Sequence, residues 1–167
     1  MSNPRQQAIL HLGANVGNRM EDLKEACARL ELRAGRIIQK SGIYETQPWG
    51  NPDQPDFLNM ALRLETKSNP EDLLRNIHTI EREMGREREK KWAPRIIDID
   101  LILFGDLIIQ TEDLMVPHPE MHQRNFVLVP LLDIAADWVH PILRETVEDL
   151  YWNSEDPLEV ILLEEKS

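Results

Sequence analysis

Residues Lys90 to Asp106 read KKWAPRIIDIDLILFGD, an apolar run that carries two carboxylates one residue apart. Ile96 to Phe104 has the composition of a strand through the middle of a sheet. An unpaired charge in such a strand is expensive, so Asp98 and Asp100 need a partner. Residues i and i+2 of a strand share a face, about 6.6 Å apart along the chain, which aims both carboxylates the same way. Ile97, Ile99, Leu101 and Leu103 are expected to fill the opposite face. Ile102 and Phe104 are expected to return the acidic face to apolar character beyond the pair. Nearby carboxylates repel unless a proton or a cation lies between them. Hard oxygen ligands that leave room for water are how Mg2+ is held when it also grips phosphates. Two ions on such a pair would be an arrangement for phosphoryl transfer. The competing reading pairs each acid with a basic side chain such as Arg95.

The approach to this strand is cationic. Arg82, Arg86, Arg88, Lys90, Lys91 and Arg95 stand against Glu83, Glu87 and Glu89, on a chain whose net charge is −11. A positive segment on a negative protein suits a small anion and disfavours nucleic acid, which needs a broad positive footprint. Arginine forks and the face of Trp92 match a nucleotide's phosphates and base. The common nucleotide loops are absent: GANVGN has spaced glycines without Lys-Ser/Thr, and no G-x-G-x-x-G follows a strand.

Other residues could complete a site. Glu81 lies at the edge of a helix's buried stripe, one turn before the basic segment. Phe57 and Asn59 share the strand face opposite Leu58 and Met60, where a ring and a carboxamide could engage a flat heterocycle. His118 and Arg124, in VPHPEMHQR, are candidate phosphate or leaving-group contacts. His118 and His122 also stand four apart, but the order is not H-E-x-x-H and Pro119 interrupts.

These groups must be held by regular elements. Ala8 to Asn15 reads as a first strand. Asn18 with Glu21 marks a capped helix carrying Leu23, Ala26, Cys27, Leu30 and Ala34 and stopping at Gly35. Arg36 to Thr46 reads as one strand and Phe57 to Thr66 as another. A second helix opens at Asn69-Pro70, buries Leu73, Leu74, Ile77, Ile80 and Met84, and is expected to end at Gly85. The Asp98 strand follows, with DLIIQ expected to pair beside it, then a short helix near Phe126 to Ala136. The order β-α-β-β-α-β predicts an α+β, ferredoxin-like fold, an antiparallel sheet with helices packed on it. Gln47 to Asp56 and Arg86 to Pro94 are long segments without periodicity, each with a tryptophan, and are expected to be mobile lids.

With 167 residues and 41% hydrophobic content, the chain is expected to fold as one domain, residues 1–167. No apolar run is long enough to cross a bilayer, and no export signal is legible, so a cytoplasmic protein is expected. The single cysteine, Cys27, falls on a helix's apolar stripe and reads as a small buried hydrophobe.

Four ordered motifs carry a resemblance over nearly the whole chain: GAN after the first strand, YETQPWGNPDQPDFLN, IEREMGRER with KKWAPRIIDIDLILFGD, and VPHPEMHQRNF. The sequence resembles the 6-hydroxymethyl-7,8-dihydropterin pyrophosphokinases of folate biosynthesis, down to W-x-P-R-x-x-D-x-D. The resemblance implies transfer of the terminal diphosphate of ATP to the pterin's hydroxymethyl group, with release of AMP. By the same resemblance Asp98 and Asp100 would bind two Mg2+ ions, and Arg86 and Arg95 would stabilise the transferring group. Glu81, Arg88, Lys91, Trp92, Arg95, His118 and Arg124 would line the ATP side. Thr46, Gln47, Trp49, Phe57, Asn59 and Phe126 would hold the pterin. The chain departs from the family's pattern at Gln47, His78, Asp113 and Pro119. The expected partners are ATP and the pterin, with no nucleic acid and no membrane, on a monomer. A metal-dependent phosphohydrolase and a non-catalytic binding module are the rival readings of the same aspartates.

Overall fold

The computed structural model describes residues 4–47, 56–86 and 96–166, except for the Arg86 side chain. Strand β1, Gln6–Ala14, is buried over most of its length, as its near-continuous apolar run requires of a strand covered on both faces. It pairs antiparallel with β4, Phe57–Thr66, on one side and with β5, Asp98–Phe104, on the other. Two short strands, β2 (Arg36–Lys40) and β3 (Ile43–Thr46), pair in succession along the far edge of β4. Helices α1, Arg19–Arg33, and α2, Pro70–Arg86, cover one face of this sheet. The expected α+β, ferredoxin-like βαββαβ arrangement is therefore what forms.

Leu10 and Leu12 of β1, Leu58, Met60, Leu62 and Leu64 of β4, and Ile99 and Leu101 of β5 pack against Leu23, Leu30, Leu73, Ile77 and Ile80 from the helices. Cys27 is among them, and burial pushes its thiol upward, in keeping with a packing role. Asn18 caps α1 as read, its side-chain oxygen accepting from the Glu21 amide at 3.3 Å. Gly35 follows that helix because the chain there touches β4: a Cβ would sit 2.3 Å from the Glu65 carbonyl oxygen.

A second layer covers the other face. Helices α3, Asn125–Ala135, and α4, Val147–Trp152, with a single 3-10 turn at Met121–Gln123, pack on Ile9, Ala61, Ile102 and Leu103. The sheet is extended beyond β3 by a last strand, β8 (Val160–Glu164), which joins it antiparallel.

Several expectations are corrected. The single strand Arg36 to Thr46 is broken at Ser41-Gly42, where the Ser41 hydroxyl accepts from the Ala61 amide at 2.7 Å in place of a backbone carbonyl. Gly85 does not stop α2, which runs on to Arg86. DLIIQ does not extend the main sheet: Ile109–Gln110 (β6) pairs with Met115–Val116 (β7) in a separate ribbon. The facing of β5 also differs beyond the acids. Its register on β1 slips so that Leu101 faces Leu10 and Leu103 faces Ile9, leaving Ile102 as an extra residue. That bulge puts Ile102 and Leu103 together in the α3 layer and turns Phe104 to the α1–α2 side. The α4 helix and β8 have no counterpart in the sequence reading. Most of the two expected lids, residues 48–55 of Gln47 to Asp56 and residues 87–94 of Arg86 to Pro94, lies outside the described residues.

Candidate active site

Cross-strand pairing brings the chemistry-bearing residues to one end of the second sheet face. Asp98 lies opposite Gly13, and Gly13 lies opposite Asn59 on its other side. Asp100 lies opposite His11 in the next row. Tyr44 and Thr46 of β3 face Asn59 and Phe57 of β4. Directly paired residues share a face, so these side chains form one continuous floor. The α3 layer stops short of this end and leaves a cleft of about 720 Å3. Its walls include Asp98, Asp100, Arg124 and Phe126 beside Thr46, Gln47, Phe57 and Asn59. The separation of Asp98 and Asp100 from Phe57 and Asn59 by 39 to 43 residues of sequence is closed by β1, which lies between β4 and β5.

The two halves differ in chemistry. On the β3–β4 side, Asn59 donates from Nδ2 to Thr46 Oγ1 at 2.8 Å, and both side chains are buried. That bond orients the carboxamide, with Oδ1 on the Gly13 side. Phe57 and Phe126, both half-buried, supply ring surface to the same half. A flat, amide-bearing heterocycle meets what it needs there. On the β5 side, Asp98 is half-buried and Asp100 exposed.

Because β5 is an edge strand, the site continues around it. A side cavity of about 250 Å3 is bounded by Glu81, Asp100 and His118, and also by His78, Asp113 and Pro119. Glu81 accepts from the Ile99 amide at 3.0 Å, satisfying an edge donor between the two aspartates. It therefore holds the strand that carries them. The His118 amide donates to the Ile102 carbonyl at 2.8 Å, and its Nδ1 accepts from the Glu120 amide at 3.2 Å. Burial lowers the His118 pKa, opposed by the nearby Asp100 carboxylate. Arg124 pairs with Glu120, and its guanidinium lies 5.7 Å from the Phe126 ring centroid.

Gln47 lines the main cleft as well. Trp49, Arg88, Lys91, Trp92 and Arg95 lie outside the described residues, as does the Arg86 side chain. Among the described residues no group of three or more His, Cys, Asp or Glu side chains is placed to enclose a metal ion. The His122 ring lies edge-to-face on His140, centroids 6.4 Å apart. Two aligned carboxylates on an accessible rim still fit Mg2+ that completes its shell with water and phosphate oxygens. No described helix is long and apolar enough to cross a membrane.

His11 was missed. It sits at the centre of β1, 3% exposed, and burial pushes its pKa down to about 4, so the ring is neutral near neutral pH. A histidine inside the otherwise apolar AILHLG was the available signal. Asp156 and Leu158, which also line the cleft, come from the unread segment after α4.

Comparison with known proteins identifies the family of the chain. The family described as 7,8-dihydro-6-hydroxymethylpterin-pyrophosphokinase matches residues 9–136. The chain is 48% identical over 129 residues to the 2-amino-4-hydroxy-6-hydroxymethyldihydropteridine pyrophosphokinase of Bacillus subtilis (strain 168), covering 77% of each. It is 40% identical to the enzyme of the same name from Haemophilus influenzae, covering 84% of this chain and 91% of that one. A crystal structure of Plasmodium falciparum HPPK-DHPS shares the fold, with a TM-score of 0.74 at 20% identity. The alignment covers 89% of this chain and 43% of that longer one. A family match over residues 9–136, and relatives 40–48% identical over more than two thirds of each chain, place this protein in the 7,8-dihydro-6-hydroxymethylpterin-pyrophosphokinase family.

Proposed function

We propose that residues 1–167 act as one pyrophosphokinase domain, in the cytoplasm and as a monomer, with ATP and 6-hydroxymethyl-7,8-dihydropterin as substrates. The β,γ-diphosphate moves to the pterin's hydroxymethyl oxygen and AMP leaves. The observation that carries this reading is the single cleft in which an acidic rim, Asp98 and Asp100, adjoins an aromatic and carboxamide pocket, Phe57, Asn59 and Phe126. Asp98 and Asp100 hold two Mg2+ ions, which supply neutralisation of the phosphate oxygens. Thr46 and Asn59 orient the pterin between the rings of Phe57 and Phe126, with Gln47 and Trp49 on the same side. Its hydroxymethyl group then points along the floor toward β5.

Arg86 and Arg95 bear on the charge of the transferring group. Glu81, Arg88, Lys91, Trp92, His118 and Arg124 hold the nucleotide. The electrophile is phosphorus, so positioning and charge stabilisation outweigh the need for a strong base. A reaction with ATP, Mg2+ and the reduced pterin tests this. AMP and a pterin diphosphate are expected in equal amounts. ADP as the nucleotide product, or phosphate released without pterin, would refute diphosphate transfer.

A further inference from the structure

Phe126 is the second residue of α3, and its backbone is unusually dependent on residues outside its own helix. The Phe126 carbonyl would ordinarily accept from the amide four residues later, but that residue is Pro130, which has no N–H. His11 takes the amide's place: its Nε2–H donates to the Phe126 carbonyl at 3.0 Å, across 115 residues of sequence. The acceptor is a carbonyl, which fixes the neutral ring as the Nε2–H tautomer. The two rings also meet edge-to-face, centroids 5.5 Å apart.

The other side of the same residue is held from the chain's far end. Arg124, at the start of α3, gives no side-chain cap. Asp156 supplies one, its Oδ2 accepting from the Asn125 amide at 2.8 Å, where a helix's positive end favours a carboxylate. Its Oδ1 accepts from the Leu158 amide at 2.9 Å, and Leu158 lines the cleft. Asp156 lies beyond residues 9–136, the part that matches the family.

We propose that His11 and Asp156 are positioning residues, which clamp the first turn of α3 from two sides and so fix the Phe126 ring in the cleft that takes the pterin. Their action is on pterin affinity and leaves nucleotide affinity alone. The inference rests on the placement of the pterin against Phe126, and the test separates the two.

Steady-state kinetics are measured for H11L, D156A, D156N and F126A at saturating ATP and, separately, at saturating pterin. H11L keeps an apolar side chain but removes the donor. The expected result is a rise in pterin KM of about fivefold or more in H11L and D156A, with ATP KM within about twofold of the parent. Adding P130A to H11L restores an amide to the Phe126 carbonyl and should recover most of the loss, as should H11Q. Should D156A fail to fold, D156N, which keeps only one acceptor, carries the same expectation at smaller size. Folded H11L and Asp156 variants with parental pterin KM, beside an F126A whose pterin KM rises, would overturn the clamp. An F126A with unchanged pterin KM would overturn the placement of the pterin, and the clamp with it.

Discussion

At the scale of single residues, the site contrasts two carboxylates kept accessible with one imidazole kept dry. Asp98 and Asp100 stand at the edge of the sheet, where hydrated ions and phosphate oxygens can reach them. Asp98→Asn or Asp100→Asn should lower turnover by on the order of 10²–10³-fold while leaving thermal stability nearly unchanged. A variant that loses stability yet keeps turnover would support ion-pairing of the acids in its place. His11 predicts a pH effect of definite sign. Its folded pKa, about 4, lies below the ordinary 6.5, so the unfolded chain binds the extra proton first as the pH falls. Its contribution is complete above pH 6.5 and is lost progressively toward pH 4, on the order of 3 kcal/mol across that window. Urea unfolding of parent and H11Q at both ends of the window should show the steeper loss in the parent. Parallel slopes would contradict the assignment.

At the scale of elements, the strands align the site and the second helical layer closes it. The join between that layer and the sheet edge is polar. Asp133 of α3 accepts from the Gly42 amide at 2.9 Å and from the Tyr44 hydroxyl at 2.7 Å, just where β2 gives way to β3. Burial and this carboxylate both push the Tyr44 phenol upward, so it remains a donor. Asp133→Ala strands both donors and should cost about 1–3 kcal/mol in denaturant unfolding. A neutral result would mean that water replaces the carboxylate. Strand alternation revealed which side of β4 carries Phe57 and Asn59, because Leu58, Met60, Leu62 and Leu64 are uniformly apolar. The facing of Leu103 and Phe104 was not legible, since every residue from Leu101 to Phe104 is apolar and a bulge leaves no mark in such a run.

At the scale of the whole molecule, one sheet serves two cores. The α1–α2 layer and the α3–α4 layer pack on opposite faces of the same strands, so neither has a sheet of its own. Thermal unfolding followed by far-ultraviolet circular dichroism and by tryptophan fluorescence should therefore give coincident transitions. With Trp49 and Trp92 replaced by Phe, the remaining Trp138 and Trp152 belong to the second layer, and an earlier fluorescence transition would show that layer melting separately. Sequence by itself determined the order of the core elements, the aim of the two aspartates and the motifs that mark the family, because period, capping and turn residues act over a few positions. Only the tertiary structure decided that Ile102 bulges, that Glu81 braces the acidic strand, and that His11 and Asp156 reach Phe126. Those are contacts between distant segments, where a side chain's partner is set by how the layers pack and not by its neighbours in the chain.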